Sequence, residues 1–210
     1  AVARASGGPV SEGNIGGGTG MVCYEFKGGT GTASRRVAVD GETFSVAAMV
    51  QANHGSRPWL NILGVPVGRH FTDDILFPNP RELGSIIVVL ATDAPMLPHQ
   101  LQRMAKRGAI GVGRGGSPGG NGSGDIMLAF SVANSGPIPQ LGAERRSMDF
   151  INDEEFDALY QAGVEATEEA VINALLGAED MFTLRPPDRI CRAIDHGRLV
   201  ELMRQYGRCA

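Results

Sequence analysis

The chain has 210 residues, 42% of them hydrophobic and 20% charged, which is usual for a domain with one sizeable core. A formal net charge of -4 leaves no basic surplus for contacts with a nucleic-acid backbone. No apolar run is long enough to cross a bilayer, and no secretory signal is visible at the start. We therefore expect a cytoplasmic protein without a nucleic-acid or membrane partner.

The cysteine and histidine patterns indicate neither a disulfide framework nor a metal centre. The three cysteines, at positions 23, 191 and 209, share no CxxC spacing, which fits free thiols in a reducing compartment. The four histidines lack the spacing of metal ligands, and no HExxH motif occurs. We expect no metal and no cofactor.

Two extended runs around Asp40-Gly41 predict a β-hairpin in the first third of the chain. Residues 21–26 precede it and predict a short strand. Residues 30–39 and 43–52 predict two longer strands, and Asp-Gly between such runs is among the better hairpin signals. Within the second run, residues 46–52 are almost all apolar or small, which predicts a strand covered on both faces.

Two further runs predict buried strands. Residues 53–84 hold four prolines and predict a loop. Ser85–Thr92 follows and is the strongest strand signal, because it is β-branched and apolar on both faces. Residues 126–133 predict another buried strand.

The remaining signals are helical or glycine-rich. Residues 96–106 have apolar side chains at helical spacing, whereas residues 108–124 hold nine glycines and predict a loop. Asn152 predicts the start of a long helix that Gly177 ends, and a second helix is predicted from about 188 to 206. Strands followed by helices favour an α+β fold over alternating βαβ units.

The Gly84–Ser85 bond stands out because a proline-rich, charged segment ends there and Ser85 opens the predicted central strand. If the bond is intact, Ser85 is only the first residue of a strand. If the bond is cut, Ser85 gains an α-amine that titrates at roughly pH 7.7–8.0 and can act as general base for its own hydroxyl. Gly84 has no Cβ to block attack on its carbonyl carbon.

Two polar spots are candidates to support Ser85. Asn53 follows a predicted buried strand, and its amide can donate a hydrogen bond to an oxyanion. Ser123 and Asp125 lie at i and i+2 of an extended segment, so they project to the same side and can hold an ammonium or orient a nucleophile. For each spot a turn-forming role is the alternative.

Four stretches together carry a family resemblance: Gly13–Phe26 (GNIGGGTGMVCYEF), Gln51–Gly55 (QANHG), Gly84–Pro95 (GSIIVVLATDAP) and Gly119–Phe130 (GGNGSGDIMLAF). The chain resembles the DmpA-type aminopeptidases. These are self-processing L-aminopeptidases and D-amino-acid esterases and amidases, related to β-peptidyl aminopeptidases. The likeness covers essentially the whole chain.

The resemblance implies a site. The precursor would cut itself between Gly84 and Ser85 into two chains that stay together, with residues 1–84 ending the heavy chain and 85–210 forming the light chain. Ser85 would be the nucleophile and its α-amine the base. Asn53 would bind the oxyanion, and Ser123 and Asp125 would orient the nucleophile.

The resemblance also implies an architecture, a four-layer αββα sandwich that resembles the N-terminal nucleophile hydrolases with different strand connectivity. It further implies a homo-oligomer, typically a tetramer, that acts on small peptides, amides or esters without a metal. Family precursors extend well upstream of residue 13, so the resemblance implies that this single domain is the C-terminal portion of a longer protein.

Two other functions compete with the aminopeptidase hypothesis. An acyltransferase of the ornithine acetyltransferase type shares the fold and the self-cleavage, but such enzymes use a threonine, and Ser85 counts against that function. A non-enzymatic ligand-binding α+β domain would keep the Gly84–Ser85 bond intact.

Overall fold

A computed structural model of the chain describes residues 3, 5–77, 82, 84–137, 140–142, 145 and 147–209. Residues 78–81 and 83, part of the predicted proline-rich loop, lie outside this range. The described strands are β1 (Val22–Cys23), β2 (Phe26–Lys27), β3 (Gly29–Val39), β4 (Glu42–Asn53), β5 (Ser85–Thr92), β6 (Ile126–Ser131), β7 (Met181–Phe182) and β8 (Ile190–Cys191). The α-helices are α1 (Val67–His70), α2 (Pro98–Arg114), α3 (Asp157–Leu176) and α4 (His196–Gln205).

A four-stranded sheet in the order β3-β4-β5-β6 forms the centre of the structure. The predicted hairpin is confirmed, since β3 and β4 pair antiparallel from Gly29 to Val39 and turn at Asp40 and Gly41, both of which have positive φ. The β5 strand pairs antiparallel with β4, but β6 pairs parallel with β5. Because parallel neighbours need a crossover, α2 makes one βαβ unit, which the sequence pattern did not predict.

Helices α2 and α3 cover one face of the sheet. The side chains that face these helices are fully buried, with Val50, Val88 and Leu90 each at most 1% exposed. The opposite face is open in the described part of the chain, where Met49 is 42% and Leu128 54% exposed. The prediction that these apolar strands are covered on both faces is therefore wrong for the residues described, because the helices supply cover for one face.

Several element boundaries differ from the predictions, three of them substantially. Helix α2 runs to Arg114, through part of the predicted glycine loop. A Cβ at Gly111 would lie 2.6 Å from the carbonyl oxygen of Val164 on α3. Glycine therefore permits close packing of the two helices there. The predicted helix from 188 begins only at His196, where the Asp195 side chain accepts from a backbone amide and caps it. The predicted strand at 21–26 is split into β1 and β2 by a turn.

Helix α3 follows the prediction more closely. Asn152 caps a short 3-10 turn over Asp153–Glu155, the α-helix continues from Asp157, and Gly177 is its C-cap.

Candidate active site

Ser85 is the first residue of β5 and lies directly opposite Asn53, the last residue of β4. Directly paired residues of antiparallel strands project to the same face, with Cβ atoms about 5 Å apart. Side chains alternate along each strand, so Ser85 shares its face with Ile87 and Asn53 shares its face with Met49. The hydroxyl and the amide thus both project from the open face of the sheet.

The Ser85 hydroxyl oxygen accepts a hydrogen bond of 2.8 Å from the backbone N–H of Gly124. This amide comes from the loop between α2 and β6, so the hydroxyl is held by the same loop that carries Ser123 and Asp125. An exposed backbone amide fixes the direction of the hydroxyl without supplying a base.

The position before Ser85 admits only glycine. A Cβ on Gly84 would lie 1.9 Å from the backbone oxygen of Asn53 and 3.3 Å from the Cα of His54. The chain therefore reaches Ser85 in close contact with the backbone of Asn53 and His54 at the end of β4.

One hydrogen bond fixes the orientation of the Asn53 amide. Its Oδ1 accepts from the backbone N–H of Val22 at 2.9 Å. The nitrogen Nδ2 is consequently the end that can donate to a substrate. The predicted oxyanion donor thus lies beside Ser85 with the donating end defined.

Ser123 and Asp125 contact each other as their spacing predicts. The Ser123 hydroxyl donates to Asp125 Oδ1 at 2.5 Å, and the same oxygen accepts from the backbone N–H of Ile86 at 3.0 Å. Asp125 is therefore bound to the residue that follows Ser85, and the structure brings together all four residues predicted from the sequence.

Glu82 also contacts the loops around Ser85, which the sequence did not indicate. Its carboxylate accepts from the backbone N–H groups of Gly55 at 2.7 Å and Gly120 at 3.1 Å, and from the Ser117 hydroxyl at 3.4 Å. A single carboxylate in a charged segment gives no sequence signal for such contacts, which depend on two distant loops meeting.

A buried aromatic pair lies behind the site. His54 is 2% exposed and meets Tyr24 edge to face, with ring centroids 5.1 Å apart. Burial lowers the pKa of His54 to about 4, although the negative charge of Asp125 acts in the opposite direction. The low pKa makes His54 a weak base, and burial closes it off from solvent, so it is poorly suited to act as the general base for Ser85.

Other chemistry is sparse in the residues that the structure describes. They contain no group of three or more His, Cys, Asp or Glu side chains arranged to hold a metal ion. Cys23, Cys191 and Cys209 are all free thiols, the first two of them buried. Among the helices in the described ranges, none is both long and apolar enough to cross a membrane.

Comparison with known proteins identifies the family of the chain. Residues 1–186 match the family described as Peptidase family S58. The beta-peptidyl aminopeptidase BapA of Sphingosinicella microcystinivorans is 43% identical over 224 residues, which cover 100% of this chain and 56% of that protein. BapA of Sphingosinicella xenopeptidilytica is 46% identical and is covered over 47% of its length. The chain thus spans about half the length of the curated relatives it matches.

Solved structures agree with the family match. The L-aminopeptidase D-Ala-esterase/amidase of Ochrobactrum anthropi, described as a variant of the Ntn hydrolase fold, superposes with a TM-score of 0.90 at 53% identity, over 98% of this chain and 55% of that one. The beta-aminopeptidase of Burkholderia sp. gives a TM-score of 0.87 at 42% identity, over 98% of this chain and 57% of that one. The predicted relation to the N-terminal nucleophile hydrolase fold and the DmpA-type resemblance are confirmed, and the chain belongs to peptidase family S58.

Proposed function

We propose that this chain is the nucleophile-bearing part of a self-processing serine aminopeptidase that cuts itself between Gly84 and Ser85. One observation carries the proposal. Ser85 begins a strand directly opposite Asn53, behind a position that admits only glycine, with its hydroxyl held by the loop that bears Ser123 and Asp125. Residues 1–84 would then end the heavy chain, and 85–210 would form the light chain.

Self-cleavage would use the Ser85 hydroxyl as the nucleophile. Its oxygen attacks the Gly84 carbonyl carbon while Asn53 Nδ2 donates to the developing oxyanion. The C–N bond between the two residues breaks as the ester forms, and the departing amine of Ser85 takes up the hydroxyl proton. Water then hydrolyses the ester, which releases a carboxylate on Gly84 and restores the hydroxyl.

Turnover would repeat the same chemistry on a substrate. The new α-amine of Ser85 takes the proton from its own hydroxyl, a role for which the buried His54 is poorly suited. The hydroxyl oxygen attacks the carbonyl of the substrate's N-terminal residue, and the proton passes to the leaving amine or alcohol. Water resolves the acyl-enzyme. Asp125 keeps one carboxylate oxygen bound to Ser123 and Ile86, which leaves Oδ2 to face the ammonium form of Ser85.

The substrate class follows from this mechanism and from the relatives. We propose small peptides, amides and esters whose N-terminal residue is of L, D or β type, since the relatives are described as an L-aminopeptidase D-Ala-esterase/amidase and as beta-peptidyl aminopeptidases. Free thiols, two of them buried, support the cytoplasm as the compartment. A homotetramer in which both pieces stay associated is part of the same proposal.

The test is to express the chain with any flanking sequence it naturally carries and to measure intact masses. A fragment that begins Ser-Ile-Ile-Val is expected, and the Ser85→Ala variant is expected to stay uncut. The cut protein should hydrolyse an aminoacyl p-nitroanilide, and N-acetylation of that substrate should abolish the reaction.

Three other outcomes of this test would contradict the proposed function. Processing or turnover that survives Ser85→Ala would refute Ser85 as the nucleophile. Acetyl transfer to an amino acid without anilide hydrolysis would favour the acyltransferase. An uncut, inactive wild-type chain would favour a binding domain.

A further inference from the structure

We propose that Glu82 is a positioning residue for self-cleavage. Three residues before Ser85, its carboxylate holds the precursor chain against two loops that border the site, the Gly55 loop after β4 and the Gly120 loop before β6. The inference rests on the proposed self-cleavage and deepens it, because it assigns a residue that positions the precursor chain.

The contacts of Glu82 join these two loops. Gly55, which donates to one carboxylate oxygen, lies two residues after Asn53 on the oxyanion side. Gly120, which donates to the other oxygen, lies in the turn that leads to Ser123, and the Ser123 backbone N–H donates to the Gly120 oxygen at 2.8 Å. One carboxylate thereby ties the oxyanion donor's segment to the segment that orients the nucleophile.

The site around the Glu82 carboxylate is shaped for it. A Cβ on Gly120 would lie 2.5 Å from Glu82 Oε2, and Gly55 has a φ of +85° with a hypothetical Cβ 2.4 Å from the Tyr24 ring. Both amide donors therefore come from positions where a side chain would collide. The third donor, Ser117, is buried, so its hydroxyl is held in place beside the carboxylate.

The short distance along the chain makes these contacts of Glu82 relevant to the scissile bond. Three residues span at most about 10 Å, so an anchored Glu82 restricts where the Gly84 carbonyl can move relative to the Ser85 hydroxyl. Misplacement of a reacting group by about 1 Å can cost on the order of 100-fold in rate. Once the bond is cut, Glu82 can still contact Gly55 and Gly120 but no longer restrains Ser85 through the chain, so its loss should affect self-cleavage more than turnover.

The experiment is a cell-free translation of the full protein with labelled methionine, followed by a chase and a denaturing gel. Glu82→Ala should slow self-cleavage by roughly 10- to 100-fold. Glu82→Gln should be intermediate, because its amide oxygen can still accept from Gly55 while its amide nitrogen cannot accept from Gly120. Glu42→Ala, at an exposed position of the hairpin, is the matched control and should cleave at the wild-type rate.

A second readout separates positioning from structure. After cleavage has run to completion, kcat/KM per titrated active site should fall much less than the cleavage rate does, whereas a purely structural role would lower both in proportion. Equal cleavage rates in wild type and Glu82→Ala would overturn the inference, as would a parallel fall in cleavage, turnover and melting temperature. A wild-type chain that never cleaves would instead overturn the proposed function itself.

Discussion

The two faces of the central sheet carry similar apolar side chains but have opposite surroundings. On the helix side, Val88 and Leu90 lie against α2 and α3 and are buried. On the other side, Ile87 and Leu128 are 44% and 54% exposed. Large apolar side chains exposed together on one face of a sheet are typical of a surface that another part of a protein covers.

The open face is also the face of the chemistry, because Ser85 and Asn53 project from it. We propose that a second sheet with its own helix layer, as in the predicted αββα sandwich, covers this face and completes a substrate pocket. The chain's match to only about half of its relatives' length supports this. The comparison teaches that the helix-covered side stabilises the strands, while the candidate catalytic side chains project from the other side.

The largest expected effect compares two leucines on neighbouring strands. Leu90→Ala should lower the free energy of unfolding by about 3 kcal/mol, because it opens a cavity under the helices. Leu128→Ala should cost less than about 1 kcal/mol in residues 1–210 alone, since its side chain is already half exposed. Chemical denaturation of both variants measures the difference.

The same pair tests whether the open face is covered in the natural protein. With the natural flanking sequence present, the cost of Leu128→Ala should rise toward that of Leu90→Ala. If it stays small there, the open face is a water-exposed surface and no second sheet covers it.

The second prediction concerns the buried His54. Its folded-state pKa of about 4 lies below the usual value near 6.5, so the unfolded state binds more protons between these values. Stability is therefore complete above about pH 6.5 and should fall by about 3 kcal/mol as pH drops toward 4. His54→Gln should flatten this slope in denaturation curves. His99→Gln, at an exposed position of α2, is the control, and an unchanged slope in His54→Gln would contradict the assignment.

The smallest effects distinguish two glycines of α2. Gly111→Ala should destabilise the fold by about 1–3 kcal/mol, because its Cβ would collide with Val164 and Thr167 on α3. Gly113→Ala meets nothing within 4 Å and should stabilise the helix by up to about 1 kcal/mol. Melting temperatures that shift in the same direction for both variants would show that packing against α3 is not what demands glycine at 111.

Much of the fold could be predicted because its signals are local. Asp40-Gly41 determines its hairpin through backbone preference, and Ser85–Thr92 is rich in β-branched residues. The glycines of α2 do not prevent the helix because their helical cost is offset by close packing against α3, which begins at Asp157, some 45 residues further along the chain. The start of α4 was missed because Asp195, not the apolar spacing that began near 188, defines the cap.

The sequence by itself determined which polar groups lie at the ends of strands. The alternation of side chains along a strand and the preferences of turn residues both depend on only a few neighbouring positions. The sequence placed Ser85 at the head of β5 and aligned Ser123 with Asp125. Only the tertiary structure decided that Asn53 lies opposite Ser85, that Glu82 ties two loops together, and that one apolar face of the sheet is left open. These depend on strand register and on contacts between distant segments, for which a single sequence carries no local energetic preference.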